Sequence, residues 1–184
     1  FTRRNTKDNT PCVLHVDLVP GSKVSVDVAA KGGGSENKSK FKMMNPSDNI
    51  IDWVVEMLPQ MGAGWCPPGM LGIGIGGTAE HCVLLAKQAL MEPIDMGPLK
   101  ARGPKNDIEA MRIEIFDKVN ALGIGAQGLG GLSTILDVKI MDAPCHAAGK
   151  PVAMIPNCAA TRHAHFTLDG AGPAYLEAPK LDEW

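Results

Sequence analysis

Aromatic side chains are scarce in this chain, with three tryptophans, one tyrosine and four phenylalanines among 184 residues. Charge of one sign is missing too: 18 basic residues face 20 acidic ones, so the balance is not basic enough to point to nucleic acid. No apolar run approaches the roughly 20 residues of a membrane-spanning helix, and no charged-then-apolar leader opens the sequence. A cytoplasmic protein is therefore expected, with the mitochondrial matrix as the other reducing compartment open to it. Five cysteines, an odd number at wide and irregular spacing, make no Cys-x-x-Cys pair and no disulfide scaffold, which leaves metal binding or plain burial as their uses. The glycine-rich stretch 31–40 has neither P-loop spacing nor a dinucleotide-binding glycine fingerprint, and no Ser-His-Asp order or paired-carboxylate pattern is distinctive enough to argue hydrolase chemistry.

What is abundant is glycine, 21 residues, within a chain that is 45% hydrophobic. Few aromatics and many glycines suit backbone-lined sites and close packing of strands on helices. The length favours one domain with a proper core. Residues 12–19 and 23–30 alternate apolar and polar side chains around Pro20-Gly21 and predict a hairpin. Apolar residues at helical spacing predict helices over 47–61, from Thr78 through Leu90, and over 106–122, with Pro59 ending or kinking the first. Strands are predicted over 70–75, 134–141, 151–155 and, more weakly patterned, 164–168. The Pro- and Gly-rich passages 92–104 and 123–131 read as loops, and 170–184 as an extended tail. The sum is an α+β fold, mixed β-sheets packed with helices in a single domain.

The segment Lys31-Gly-Gly-Gly-Ser-Glu-Asn-Lys-Ser-Lys40 follows a predicted strand. Three successive glycines cost backbone entropy and add no packing, so they read either as backbone brought close to an anion between basic side chains or as a flexible linker. Cys66, in Gly-Trp-Cys-Pro-Pro-Gly, lies just before a predicted strand, and Cys158, in Pro-Asn-Cys-Ala-Ala-Thr-Arg, lies just after one. Proline beside cysteine removes an N–H donor and stiffens the loop, a setting that suits an iron–sulfur ligand as well as an idle thiol. Cys82 falls within a helix and reads as core; Cys12 and Cys145 carry no spacing argument. His146 sits on a loop between strands, and His163 and His165 share one side of a possible strand.

Five stretches occur in order: Lys31-Gly-Gly-Gly-Ser-Glu-Asn-Lys38, Cys66-Pro-Pro68, Ile75-Gly-Gly-Thr78, Gly123-Ile-Gly-Ala-Gln-Gly128 and Asn157-Cys-Ala-Ala-Thr-Arg162. Together they resemble the alpha region of class I fumarate hydratases, and the resemblance covers nearly the whole chain. It implies a hydro-lyase of the tricarboxylic acid cycle that converts fumarate and L-malate, with a four-iron four-sulfur cluster held by three cysteines and one iron open to substrate. L-tartrate dehydratase alpha subunits share much of the pattern and are the alternative, and a non-catalytic assembly module on the same scaffold is a third reading.

Carried over residue by residue, the resemblance makes Cys66 and Cys158 metal ligands, sets Gly32, Gly33 and Gly34 against a dicarboxylate substrate, and matches His146 to an active-site histidine. The family's first cysteine lies in a Cys-Gln-Asp-Thr-Gly motif that this sequence does not contain. Residues 1–169 are thus expected to be an N-terminally truncated alpha domain and 170–184 a linker toward an absent beta domain. The isolated chain is expected to be inactive and in the parent protein to join a beta domain or subunit and a second copy in a homodimer.

Overall fold

The computed structural model describes residues 2–10, 12–160 and 162–172. They fall into two units, Phe1–Val26 with Phe166–Trp184, and Asp27–His165. In chain order the elements are β1 (Val24–Ala29), a single helical turn α1 (Gly33–Glu36), β2 (Lys40–Met44), α2 (Ile50–Met61) and β3 (Gly69–Gly76). Then come α3 (Ala79–Ala89), α4 (Met96–Arg102), α5 (Asp107–Ala121), β4 (Ile135–Ala143), β5 (Lys150–Asn157) and β6 (His163–Leu168). Four strands form one mixed sheet in the order β2-β5-β3-β4, and β1 pairs with β6 in a separate ribbon. The α+β class expected from the sequence is what the fold has.

β3 is the hinge of the design. It runs parallel to β4 and antiparallel to β5, with Met70 opposite Asn157 at one end and Ile75 opposite Val152 at the other. Its alternation sorts two packing layers. Leu71 and Ile73 face a core that also holds Trp53, Val54, Leu58 and Met61 of α2, Met96 and Leu99 of α4, and Ile115 and Val119 of α5. On the other side Met70 joins Cys82, Ala86 and Leu90 with Ala153 and Ile155 of β5. There α3 lies so close that glycine is required: a Cβ on Gly74 would stand 1.9 Å from the carbonyl oxygen of Cys82, and one on Gly72 would stand 2.2 Å from that of Ala86.

Helix starts follow capping chemistry. Asn49 caps α2 by accepting from Ile51 N–H and Asp52 N–H, so the helix begins at Ile50, three residues after the start expected at position 47. Asn106 caps α5 by accepting from Glu109 N–H. Pro59 stands in the last turn of α2, which ends at Met61. The passage 92–104, expected to be a loop, contains α4: Pro98 stands in the first turn, where its missing N–H has no intrahelical bond to lose.

The hairpin expected at 12–30 is corrected in its first half. Residues 24–29 form β1, but its partner is β6, and 12–19 carry no strand and are exposed. Apolar alternation there lacks a buried face to set a register. The tail expected at 170–184 lies, from 173 onward, outside the described residues.

A buried charge cluster at β4 closes the sheet edge. Asp137, fully buried, accepts from the backbone N–H groups of Asp95 (2.7 Å), Met96 (3.2 Å) and Val138 (2.6 Å), and from Arg112 Nη2 at 3.0 Å. Arg112 also donates to Asp95 and, through Nε, to the carbonyl of Val138. Lys139 Nζ pairs with both Asp95 and Asp137. These bonds tie the start of α4 and the middle of α5 to the edge strand.

Candidate functional site

Topology brings the main chains at Cys66 and Cys158, the two candidate ligands, side by side. Because β3 and β5 are antiparallel with Met70 opposite Asn157, the residues before β3 and those after β5 emerge side by side. The main chains are joined there, Ala159 N–H donating to the carbonyl of Cys66 at 3.1 Å. Cys66 has φ 58°, left-handed backbone that a cysteine rarely adopts, and its N–H donates to the Ala63 carbonyl, closing a turn after α2. Cys66 is exposed, Cys158 is buried, and neither forms a disulfide.

The triple glycine meets the same junction. A Cβ on Gly32 would sit 3.6 Å from Cys158 Sγ and 3.9 Å from Arg162 Nη2, and one on Gly34 would stand 2.6 Å from the Gly64 carbonyl oxygen. Gly33 faces open space. Gly34 is therefore required by close backbone approach, whereas Gly32 leaves a gap between a thiol and a guanidinium. The turn is pinned from within, Ser35 Oγ donating to the Gly32 carbonyl and accepting from Lys31 Nζ. Glu36 bridges Lys31 (3.0 Å) and Lys87 of α3 (2.6 Å), fixing the turn to the helix behind it. Burial holds the Lys31 ammonium below the usual lysine range, even with Glu36 pulling the other way.

The second glycine-rich loop docks beside Cys66. Asn120, at the end of α5, accepts from the N–H groups of Thr134 and Ile135, and Thr134 Oγ1 accepts from Gly125 N–H, which fixes both ends of the loop. Gln127 then donates its backbone N–H to the Pro67 carbonyl at 2.7 Å, next to Cys66. The sequence marked this loop only by its glycines; its docking on Pro67 depends on where α5 ends.

His146 does not join this group within one chain. It follows β4 and precedes β5, near the Gly76 end of β3, whereas the cysteines lie at the Gly69 end. The eight residues of β3 span about 23 Å between those ends. Its Nδ1 accepts from Ala148 N–H, and its carbonyl accepts from Gly149 N–H. Cys145 shares this far end, and Cys82 lies on the buried face of α3 with its Sγ 3.1 Å from the Gly74 carbonyl oxygen. On β6, His165 pairs with Asp27, and burial followed by the nearby His165 holds His163 below the usual histidine range.

An iron–sulfur cluster asks for soft thiolate donors. The junction offers two, and Trp65, buried and directly before Cys66, carries an indole N–H without a partner among the described residues. Cys82 and Cys145 are placed elsewhere, and no group of three or more His, Cys, Asp or Glu suited to a metal ion occurs among the described residues. The junction therefore offers two thiol donors for such a group, and a third is not among the described residues around them.

The fumarate hydratase (Fumerase) family matches residues 1–167. A protein of Methanocaldococcus jannaschii named "Putative L(+)-tartrate dehydratase subunit alpha" is 40% identical over 172 residues, covering 89% of this chain and 59% of that protein. Proteins of Escherichia coli and Shigella sonnei named L(+)-tartrate dehydratase subunit alpha are 30% and 29% identical over 178 residues, covering 91% of this chain and 57% of theirs. The chain thus spans less than three-fifths of the length of these relatives. With a family match over nearly its whole length, and with Cys66, Cys158 and the triple glycine gathered at one junction, the chain belongs to the fumarate hydratase (Fumerase) family.

Proposed function

We propose that this chain is the alpha part of an iron–sulfur hydro-lyase acting on a small dicarboxylic acid, hydrating fumarate to L-malate reversibly. L(+)-tartrate is the alternative substrate, and the names of the relatives favour it as much as the family name favours fumarate. The observation that carries the reading is Cys158 Sγ lying against Gly32 with Arg162 beside it, while the main chain next to Cys158 is bonded to the Cys66 carbonyl. Hydration adds hydroxide to one alkene carbon and a proton to its neighbour. The protein must hold two carboxylates still and keep the reacting face accessible. Cationic side chains and the open space at Gly33 suit the first task. A bound cluster would supply Lewis acidity at an open iron, with Cys66 and Cys158 as two of its anchors.

A beta subunit is the partner proposed to supply what the site lacks. An assembly role also has an observation in its favour: Val13, Leu14, Val16, Leu18 and Val19 are each more than 70% exposed, a strip of apolar surface of the kind that partners cover.

Saturating fumarate or L(+)-tartrate is expected to slow alkylation of Cys158 by iodoacetamide several-fold, read by peptide mapping. Unchanged rates with both acids would overturn the dicarboxylate reading. After anaerobic iron–sulfur reconstitution the isolated chain is expected to turn over neither acid, and robust turnover would show that the chain carries the whole site.

A further inference from the structure

We propose that Arg162 is the carboxylate anchor of this junction, its guanidinium receiving one carboxylate of the dicarboxylic acid beside Cys158. This rests on the dicarboxylate reading above and adds the residue that would recognise the acid. Arg162 is tied twice to one partner: its carbonyl accepts from Ala30 N–H at 2.9 Å, and its Nε donates to the Ala30 carbonyl at 3.0 Å. The reciprocal pair fixes the direction of the side chain and uses only Nε, so the two Nη groups are the end that is presented. Nη2 and Cys158 Sγ each lie within 4 Å of where a Gly32 side chain would start, and so no more than about 7.5 Å apart. Any side chain on Gly32 would fill the space between them.

Charge accounting separates Arg162 from its neighbours. Lys31 and Lys87 are both paired with Glu36, whereas Arg162 is exposed and has no ion pair among the described residues. Lys38 likewise has no ion pair among the described residues and lies against Gly64, where its ammonium lacks the guanidinium's fork. A planar guanidinium presenting two N–H groups in a fork matches a carboxylate's two oxygens, which an ammonium cannot do.

The test uses two alkylating reagents of nearly the same size, iodoacetate and iodoacetamide. In both, the Cys158 thiolate forms a C–S bond as iodide leaves, but only iodoacetate carries a carboxylate. The ratio of the two rates at Cys158 cancels any change in thiolate fraction or exposure, and Cys145, exposed at the other end of the sheet, is the internal reference. At low salt, Arg162→Met is expected to lower the iodoacetate-to-iodoacetamide ratio at Cys158 about threefold or more, as for a unit charge at that separation, and to leave the Cys145 ratio unchanged. Arg162→Lys, which keeps the charge without the fork, is expected to fall between. Equal ratios in all three proteins would overturn the assignment. If fumarate nonetheless slows iodoacetamide in the wild-type chain, the dicarboxylate reading stands and only Arg162 is wrong.

Discussion

Asp137→Ala is expected to destabilise the chain by about 3–5 kcal/mol, the range found when one member of a buried ion pair is removed. Asp137 is fully buried and Arg112 and Lys139 are nearly so, at 8% and 5% exposure. Without the carboxylate, Lys139 and Arg112 share only Asp95, and the N–H groups of Asp95 and Met96 at the start of α4 lose their acceptor. Asp137→Asn keeps an acceptor but not the charge and is expected to cost less. Chemical denaturation checks both, and a loss below about 1 kcal/mol for the alanine variant would mean that the cluster is not what holds α4 and α5 to β4. The same cluster gives an acid limb to stability. Burial raises the Asp95 pKa, but hydrogen bonds from Lys139 and Arg112 outweigh it and bring the carboxyl down from 3.8 to about 2. Its contribution is therefore complete above 3.8 and is lost as pH falls through about 2.

Gly74→Ala is expected to cost about 3 kcal/mol, the upper part of the range for overpacking, because nothing near it can yield cheaply. The new methyl would meet the Cys82 carbonyl oxygen at 1.9 Å and the Ala86 nitrogen at 2.7 Å, both backbone atoms of α3. Either the helix retreats from the sheet or β3 shifts, and both moves open the Met70, Cys82 and Ala86 layer. Gly33→Ala is the contrast: its Cβ would meet nothing within 4 Å, and a change within about 0.5 kcal/mol is expected. Thermal melts of the two variants side by side decide this, and similar melting temperatures would mean that α3 does not seat on the glycines of β3.

Periodicity carried the regular elements. The helices α2, α3 and α5 and the strands β3, β4 and β5 stand close to where the sequence puts them, because their apolar residues repeat at 3.6 or 2 and their starts are capped or bounded by glycine. α4 was hidden by Gly97 and Pro98, breakers in a helix interior but harmless in a first turn. β2 was hidden by its lysines, which suit the outer strand of a sheet. The pairing of β1 with β6 joins segments more than 130 residues apart, and no local pattern encodes it.

The site divides along the same line. Cys66, Cys158 and the triple glycine could each be picked from sequence, but their meeting follows from the antiparallel register of β5 on β3, a tertiary fact. The same register carries His146 to the opposite end. For the charge cluster a signal did exist: Asp137 and Lys139 interrupt an apolar strand, and buried charges need partners nearby. Arg162 stood in the sequence only as the last residue of the 157–162 stretch, and the fold alone sets it beside Gly32.

The most direct test of the account is a short dithiol-bridging reagent such as dibromobimane, applied to the reduced chain and followed by peptide mapping. Convergence of the two loops predicts an intramolecular bridge between Cys66 and Cys158 that is lost in both Cys66→Ser and Cys158→Ser. Single adducts alone, or bridges that leave this pair unlinked, would contradict it.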